Sequence, residues 1–119
     1  MKTVLVVDDS EFMRTLIKKN ISGLDVEVIG EAENGKVALE KYIELKPDIV
    51  TLDLAMQEFG GLEALEKIML HNPDAKVIIV CSTAGQGEVI DKATELGAYA
   101  VVKKPLKNDE LAEIVKSLL

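Results

Sequence analysis

Two periodicities alternate along this chain. Short apolar runs, beginning with Thr3-Val4-Leu5-Val6-Val7, are separated by stretches whose apolar residues recur every three or four positions. A run that is this short and rich in β-branched residues does not make an independent helix; it reads as a strand buried on both faces. Strands are expected at residues 3–7, 26–32, 48–52, 76–81 and 99–102. Helices are expected between and after them. Ser10 caps the first, which runs to about residue 21 with Phe12, Met13, Leu16, Ile17, Asn20 and Ile21 at helical spacing. Asn34 caps the second, through Val37, Ala38, Tyr42 and Leu45, and Pro47 stops it. Leu62, Leu65, Ile68 and Met69 mark the third, which ends near Asn72-Pro73; residues 88–96 form the fourth, closed by Gly97. The fifth covers residues 109–119, with Leu111, Ile114, Val115 and Leu118 on one face. Five strands alternating with five helices imply an α/β fold, a doubly wound parallel sheet with right-handed crossovers.

Such sheets bind ligands outside the carboxyl ends of their strands. Asp8 and Asp9 end the first apolar run, Asp53 ends the third, Ser82 the fourth, and Lys104 follows the fifth. Each has a bland reading alone: an Asp-Asp-Ser turn is often an N-cap, a lone Ser satisfies a turn, and Lys-Pro is a common loop dipeptide. Together they occupy five equivalent places in a repeating fold. Carboxylates that converge repel one another unless a cation compensates them, and hard oxygen ligands suit Mg²⁺. A carboxylate beside Mg²⁺, with a hydroxyl and an ammonium converging on it, can attack phosphorus and form an aspartyl phosphate. In that scheme Asp53 is the nucleophile, Asp9 holds the metal directly and Asp8 holds it through water. Lys104 pairs with the phosphoryl oxygens and Ser82 donates a hydrogen bond to them.

Composition excludes several alternatives. At 119 residues, 48% hydrophobic and 29% charged, the chain has the length and balance of one globular domain. The net charge of −7, with Lys and Arg dispersed among more numerous acids, argues against a nucleic-acid partner. Cys81 stands alone within an apolar run, so no disulfide framework is expected and it reads as a small core residue. His71 reads as a surface residue near a helix end. Gly85 and Gly87 lack the Lys-Ser/Thr pair of a phosphate-binding loop. No signal-peptide core follows Met1-Lys2-Thr3 and no stretch reaches membrane-span length, so a cytoplasmic protein without membrane contact is expected.

Val6-Val7-Asp8-Asp9-Ser10, Pro47-Asp48-Ile49-Val50-Thr51-Leu52-Asp53, Ile79-Val80-Cys81-Ser82 and Lys104-Pro105 resemble, in order and spacing, the signature blocks of response-regulator receiver domains. Phe12-Met13-Arg14 and Gly85-Gln86 are most similar to the single-domain chemotaxis regulators. The resemblance covers the whole chain and implies one receiver domain over residues 1–119. It implies a flavodoxin-like fold of strand order 2-1-3-4-5, a cis Lys104-Pro105 bond and a backbone carbonyl of Ala55 as a further metal ligand. A histidine kinase is the implied phosphodonor, a protein such as a flagellar motor switch protein the implied target, and a phosphatase a further partner of a monomeric chain. The fifth helix ends the sequence, so the expected output is a contact with another protein. The implied role is that of a phosphoaccepting switch rather than an enzyme. Rival readings are a phosphorelay intermediate, a receiver excised or engineered from a larger protein, a constitutively binding pseudo-receiver and a flavin- or nucleotide-binding enzyme. The last is disfavoured because the first turn offers acids where a phosphate needs backbone amides and glycines.

The chain departs from the family in three places. The loop after the acceptor reads Met56-Gln57-Glu58-Phe59-Gly60-Gly61, without the usual proline, and is expected to be the more mobile for it. Thr83 replaces the usual alanine after the Ser/Thr and is expected to narrow access to the site. Val101 stands where an aromatic switch residue is common, and Tyr99 is expected on the same strand face by alternation. In the family Ser82 would move toward the phosphoryl group, and the aromatic would fill the space it leaves. Replacing either Asp8 or Asp9 by a neutral residue is expected to stabilise the apo protein by relieving repulsion.

Hydrolysis of the aspartyl phosphate needs an in-line water, which receivers orient or obstruct by side chains two positions after the acceptor and two after the Ser/Thr. Here these are Ala55 and Ala84, neither of which can hydrogen-bond a water through its side chain. Unaided loss of phosphate is therefore slower than in relatives carrying amide or acidic groups there. The double substitution Ala55→Asn with Ala84→Glu speeds decay of the phosphorylated protein at fixed Mg²⁺, measured by intact mass over time. An unchanged or slower decay would show that positioning of water does not limit the rate.

Overall fold

The computed structural model describes residues 1–54, 60–82, 87–107 and 109–119. The apolar runs form β1 (Lys2–Val7), β2 (Val26–Ala32), β3 (Ile49–Leu52), β4 (Lys76–Cys81) and β5 (Ala100–Lys103). They alternate with α1 (Glu11–Ile21), α2 (Gly35–Leu45), α3 (Gly61–His71), α4 (Gly87–Leu96) and α5 (Glu110–Lys116). All strand pairs are parallel and the order is β2-β1-β3-β4-β5, the doubly wound arrangement expected.

Successive side chains of a strand point to opposite faces, and this divides each apolar run between two cores. Leu5, Val7, Val50, Leu52, Val77, Ile79 and Cys81 pack beneath α2, α3 and α4 against Ala38, Tyr42, Leu65, Ile68 and Ala93. Val4, Val6, Ile49, Ile78, Val80 and Val102 pack on the other side against Ile17 and Ile21 of α1 and Leu111 and Val115 of α5. Burial of each such side chain contributes about 1.5–3 kcal/mol, so a strand clothed on both faces is held far more firmly than propensity alone would hold it. The helices start where their caps dictate. Ser10 Oγ accepts the Met13 N–H at 3.2 Å and Asn34 Oδ1 accepts that of Val37 at 2.9 Å. Lys46, at φ 49, closes α2 in the left-handed conformation ahead of Pro47. No helix among the described residues is long and apolar enough to cross a membrane.

Three expectations shift. Phe12 is 71% exposed, because the buried line of α1 passes through Ile17 and Ile21 and leaves Phe12 on the flank. β3 begins at Ile49; Asp48 instead accepts the Thr3 N–H at 2.8 Å through Oδ2 and joins the starts of β1 and β3. Tyr99 lies ahead of β5, so strand alternation does not govern it. Its hydroxyl is 2.8 Å from Ser117 Oγ at the end of α5, while Val101 packs against the core beneath α2, α3 and α4. Tyr99 and Val101 therefore serve opposite layers.

One glycine is required by close approach. A Cβ on Gly61 would lie 2.1 Å from the Asp53 carbonyl oxygen and 2.7 Å from Leu54 Cα, both backbone atoms that cannot yield by a rotamer change. The start of α3 is thereby pressed against the end of β3. Gly61→Ala lowers stability in urea denaturation by about 1–3 kcal/mol, the usual cost of overpacking. Gly23→Ala, where a Cβ meets nothing within 4 Å, is the neutral control. Equal midpoints for the two variants would refute the close packing.

Candidate functional site: an acidic cluster at the carboxyl edge of the sheet

Backbone pairing brings the strand ends to one place. The Asp53 N–H donates to the Val7 carbonyl at 3.0 Å, that of Asp8 to Ala32 at 3.0 Å and that of Lys104 to Cys81 at 2.8 Å. The side chains then converge. Carboxylate oxygens of Asp8, Asp9 and Asp53 all lie within 4.8 Å of one another. Asp8 and Asp53 are buried, at 0% and 3% exposure, whereas Asp9 faces solvent.

Lys104 stands between the two buried acids. Its Nζ is 2.9 Å from Asp8 Oδ2 and 3.4 Å from Asp53 Oδ2. Burial by itself would lower the pKa of this ammonium. The hydrogen bond to Asp8 and the charges of Asp53 and Asp8 outweigh that effect and hold it above the usual lysine value. Asp8 has partners on every side: Oδ1 accepts the Ser10 N–H at 2.9 Å, and its carbonyl accepts Arg14 Nη1 at 2.6 Å. Among the described residues, no ion pair or hydrogen bond reaches the Asp9 carboxylate.

Among the described residues, three carboxylates face the one ammonium of Lys104 in a small volume. Two like charges about 4–5 Å apart repel by roughly 3–4 kcal/mol at an effective dielectric near 20. A divalent cation with oxygen coordination answers both the charge and the donor chemistry of this set. The structure divides the expectation that loss of either Asp8 or Asp9 is stabilising. Asp8 is tied to Lys104 and Ser10; its loss would strand the Ser10 N–H and leave Lys104 with Asp53 alone, so relief of repulsion belongs to Asp9.

The structure thus brings together Asp8, Asp9, Asp53 and Lys104, and the Lys104-Pro105 bond is cis as expected. Ser82 lies exposed immediately after β4, next to the carbonyl that Lys104 bonds. Ala55, Gln57, Thr83 and Ala84 lie outside the described residues. Cys81 is buried in the core as expected, and burial and the Asp53 charge push its thiol pKa up. His71 ends α3 at the surface, its ring edge-on to Tyr42. Sequence reasoning missed Arg14, its partner Glu31 and the packing role of Gly61. For Arg14 one signal was present: a cation one turn into a helix that follows an acidic pair.

The model of the response regulator receiver domain family matches residues 4–116. The chain is 48% identical over 116 residues to the chemotaxis protein CheY of Listeria monocytogenes, covering 98% of this chain and 97% of that one. It is 45% identical over 117 residues to the protein of the same name from Thermotoga maritima, with the same coverage. Among solved structures, the CheX-CheY-BeF3-Mg²⁺ complex of Borrelia burgdorferi superposes with a TM-score of 0.90 at 29% identity, over 98% of this chain and 88% of that one. With its strand order, acidic cluster and near full-length relatives, the chain belongs to the response regulator receiver domain family and is a CheY-like phosphoaccepting signalling switch.

Proposed function

We propose that Asp53 is the phosphoacceptor of a Mg²⁺-dependent chemotaxis switch. The observation that carries this reading is the ammonium of Lys104 set against both Asp8 and Asp53, with the Asp9 carboxylate completing the acidic cluster. An Asp53 carboxylate oxygen attacks the phosphorus of a phosphohistidine on a histidine kinase. The P–O bond forms as the P–N bond breaks, and the departing imidazole takes up a proton. Asp9 and Asp53 would hold the cation directly and Asp8 through water, with the Ala55 carbonyl, outside the described residues, the further ligand that the family resemblance implies. Bound Mg²⁺ supplies neutralising charge for the transferred phosphoryl group. Lys104, already 3.4 Å from Asp53 Oδ2, pairs with a phosphoryl oxygen, and Ser82 donates to another.

The partners follow from the same chemistry and from the relatives. A histidine kinase donates the phosphoryl group, a protein of the flagellar motor switch kind reads it, and a phosphatase removes it. The Borrelia relative binds CheX, which supports a protein partner acting on such a domain. The near-complete coverage of the chemotaxis relatives supports a single receiver domain over residues 1–119.

Exposure to acetyl phosphate with Mg²⁺ adds one phosphoryl mass to the wild type, and Asp53→Asn abolishes the addition while the circular dichroism spectrum is retained. Undiminished labelling of that variant would sink Asp53 as acceptor.

The metal reading makes a separate prediction. In chelator, Asp9→Asn melts higher than the wild type because a repelling charge is gone, and Asp8→Ala melts lower because the Ser10 N–H loses its acceptor and Lys104 the nearer of its two. Added Mg²⁺ raises the wild-type midpoint by mass action and does so less for both variants. An Asp9→Asn midpoint at or below the wild type in chelator would show that the carboxylates do not strain the fold.

A further inference from the structure

Arg14 lies one turn into α1 and bridges two elements of the acidic edge. Its Nη1 donates to the Asp8 carbonyl at 2.6 Å and its Nε to Glu31 Oε1 at 2.9 Å. Glu31, near the end of β2, also accepts Lys18 Nζ at 2.8 Å through Oε2, and its backbone carbonyl accepts Lys41 Nζ. The next carbonyl along, that of Ala32, accepts the Asp8 N–H at 3.0 Å. Asp8 is therefore fixed to β2 on both sides of its residue, directly at its N–H and through the Glu31-Arg14 clamp at its carbonyl. The Arg14 side chain is only 15% exposed, and its rigid, planar fork holds two acceptors in a fixed geometry, which the flexible point charge of a lysine does not.

We propose that Arg14 is a positioning residue for the acidic site: clamped by Glu31, it fixes the Asp8-Asp9 backbone and so sets the affinity of the cluster for a divalent cation. This rests on the reading of the cluster as a Mg²⁺ site. Groups that orient metal ligands from behind typically carry about 10–100-fold in affinity. Charge and position act here with opposite signs. A cation beside the site repels Mg²⁺, so charge alone makes loss of Arg14 tighten binding, whereas loss of positioning weakens it.

The experiment is calorimetric titration of the full chain with Mg²⁺, alongside melting curves in chelator. Arg14→Ala and Arg14→Lys each raise the Mg²⁺ Kd about tenfold, and Glu31→Gln raises it less, in line with the usual effect of such groups. Lys18→Ala removes a cation from the same Glu31 without touching Asp8, and it leaves Kd at or below the wild-type value. Arg14→Lys keeps the charge and the helix, so it decides the matter if Arg14→Ala does not fold. Variants of Arg14 that bind within about twofold of the wild type, or more tightly, overturn the inference even if they melt lower. A wild type that binds no Mg²⁺ overturns the site reading and this inference with it. Wild-type binding with unchanged variants overturns the inference alone.

Discussion

Lys104 makes the acidic edge of this sheet compatible with folding. Asp8 and Asp53 are both nearly inaccessible to water, and a buried carboxylate without a partner is costly. One ammonium lies 2.9 Å from the first and 3.4 Å from the second, and its own pKa is raised above the usual lysine value in spite of burial. Removing one partner of such a buried pair typically costs about 3–5 kcal/mol, more than any single cap or surface pair in a chain of this size. The position of Lys104 depends on β5, whose exit is held by the Lys104 N–H on the Cys81 carbonyl. The last strand of the sheet thus delivers the charge that the first and third strands need.

Compensation is incomplete, and the chemistry follows from that. Asp9, exposed and without an ion pair among the described residues, adds a third carboxylate that Lys104 does not offset. A fully neutralised cluster would be more stable and would have no use for a divalent cation. The remaining charge is stability given up for binding, a balance common at functional sites. Gly61 imposes a related constraint from the other side. The start of α3 presses on the Asp53 carbonyl so closely that no side chain fits, which limits how far the end of β3 can move.

Much of this was legible in the residues. Strands buried on both faces declare themselves as β-branched runs, and the caps at Ser10 and Asn34 declare the helices, so the order of elements and the edge on which Asp8, Asp9, Asp53 and Lys104 gather could be read in advance. Three things could not. Ion pairing depends on which charges meet in space, and nothing in the spacing of Asp8 and Lys104 separates an ammonium resting on an acid from one awaiting a phosphoryl oxygen. Arg14 and Glu31 are seventeen positions apart and meet only because α1 crosses the end of β2. Tyr99 was misplaced because alternation holds within a strand, and β5 starts one residue later.

That misplacement bears on how a change at the acidic edge can travel. Tyr99 is engaged with Ser117 of α5 and has Lys76 Nζ 5.9 Å over its ring, while Val101 packs in the opposite layer. A valine has no large ring to swing between an outer and an inner position, and Tyr99 does not share its face. The acidic edge is joined to the surface instead through the backbone that precedes Ser82. Cys81 and Lys104 are joined by a main-chain hydrogen bond at the junction of β4 and β5, and Val102, one pair further in, packs with Leu111 and Val115 beneath α5. β5 therefore borders two layers at once, Val101 packing on one side and Val102 with α5 on the other, and packed cores answer a displacement by moving between discrete arrangements rather than by gradual deformation.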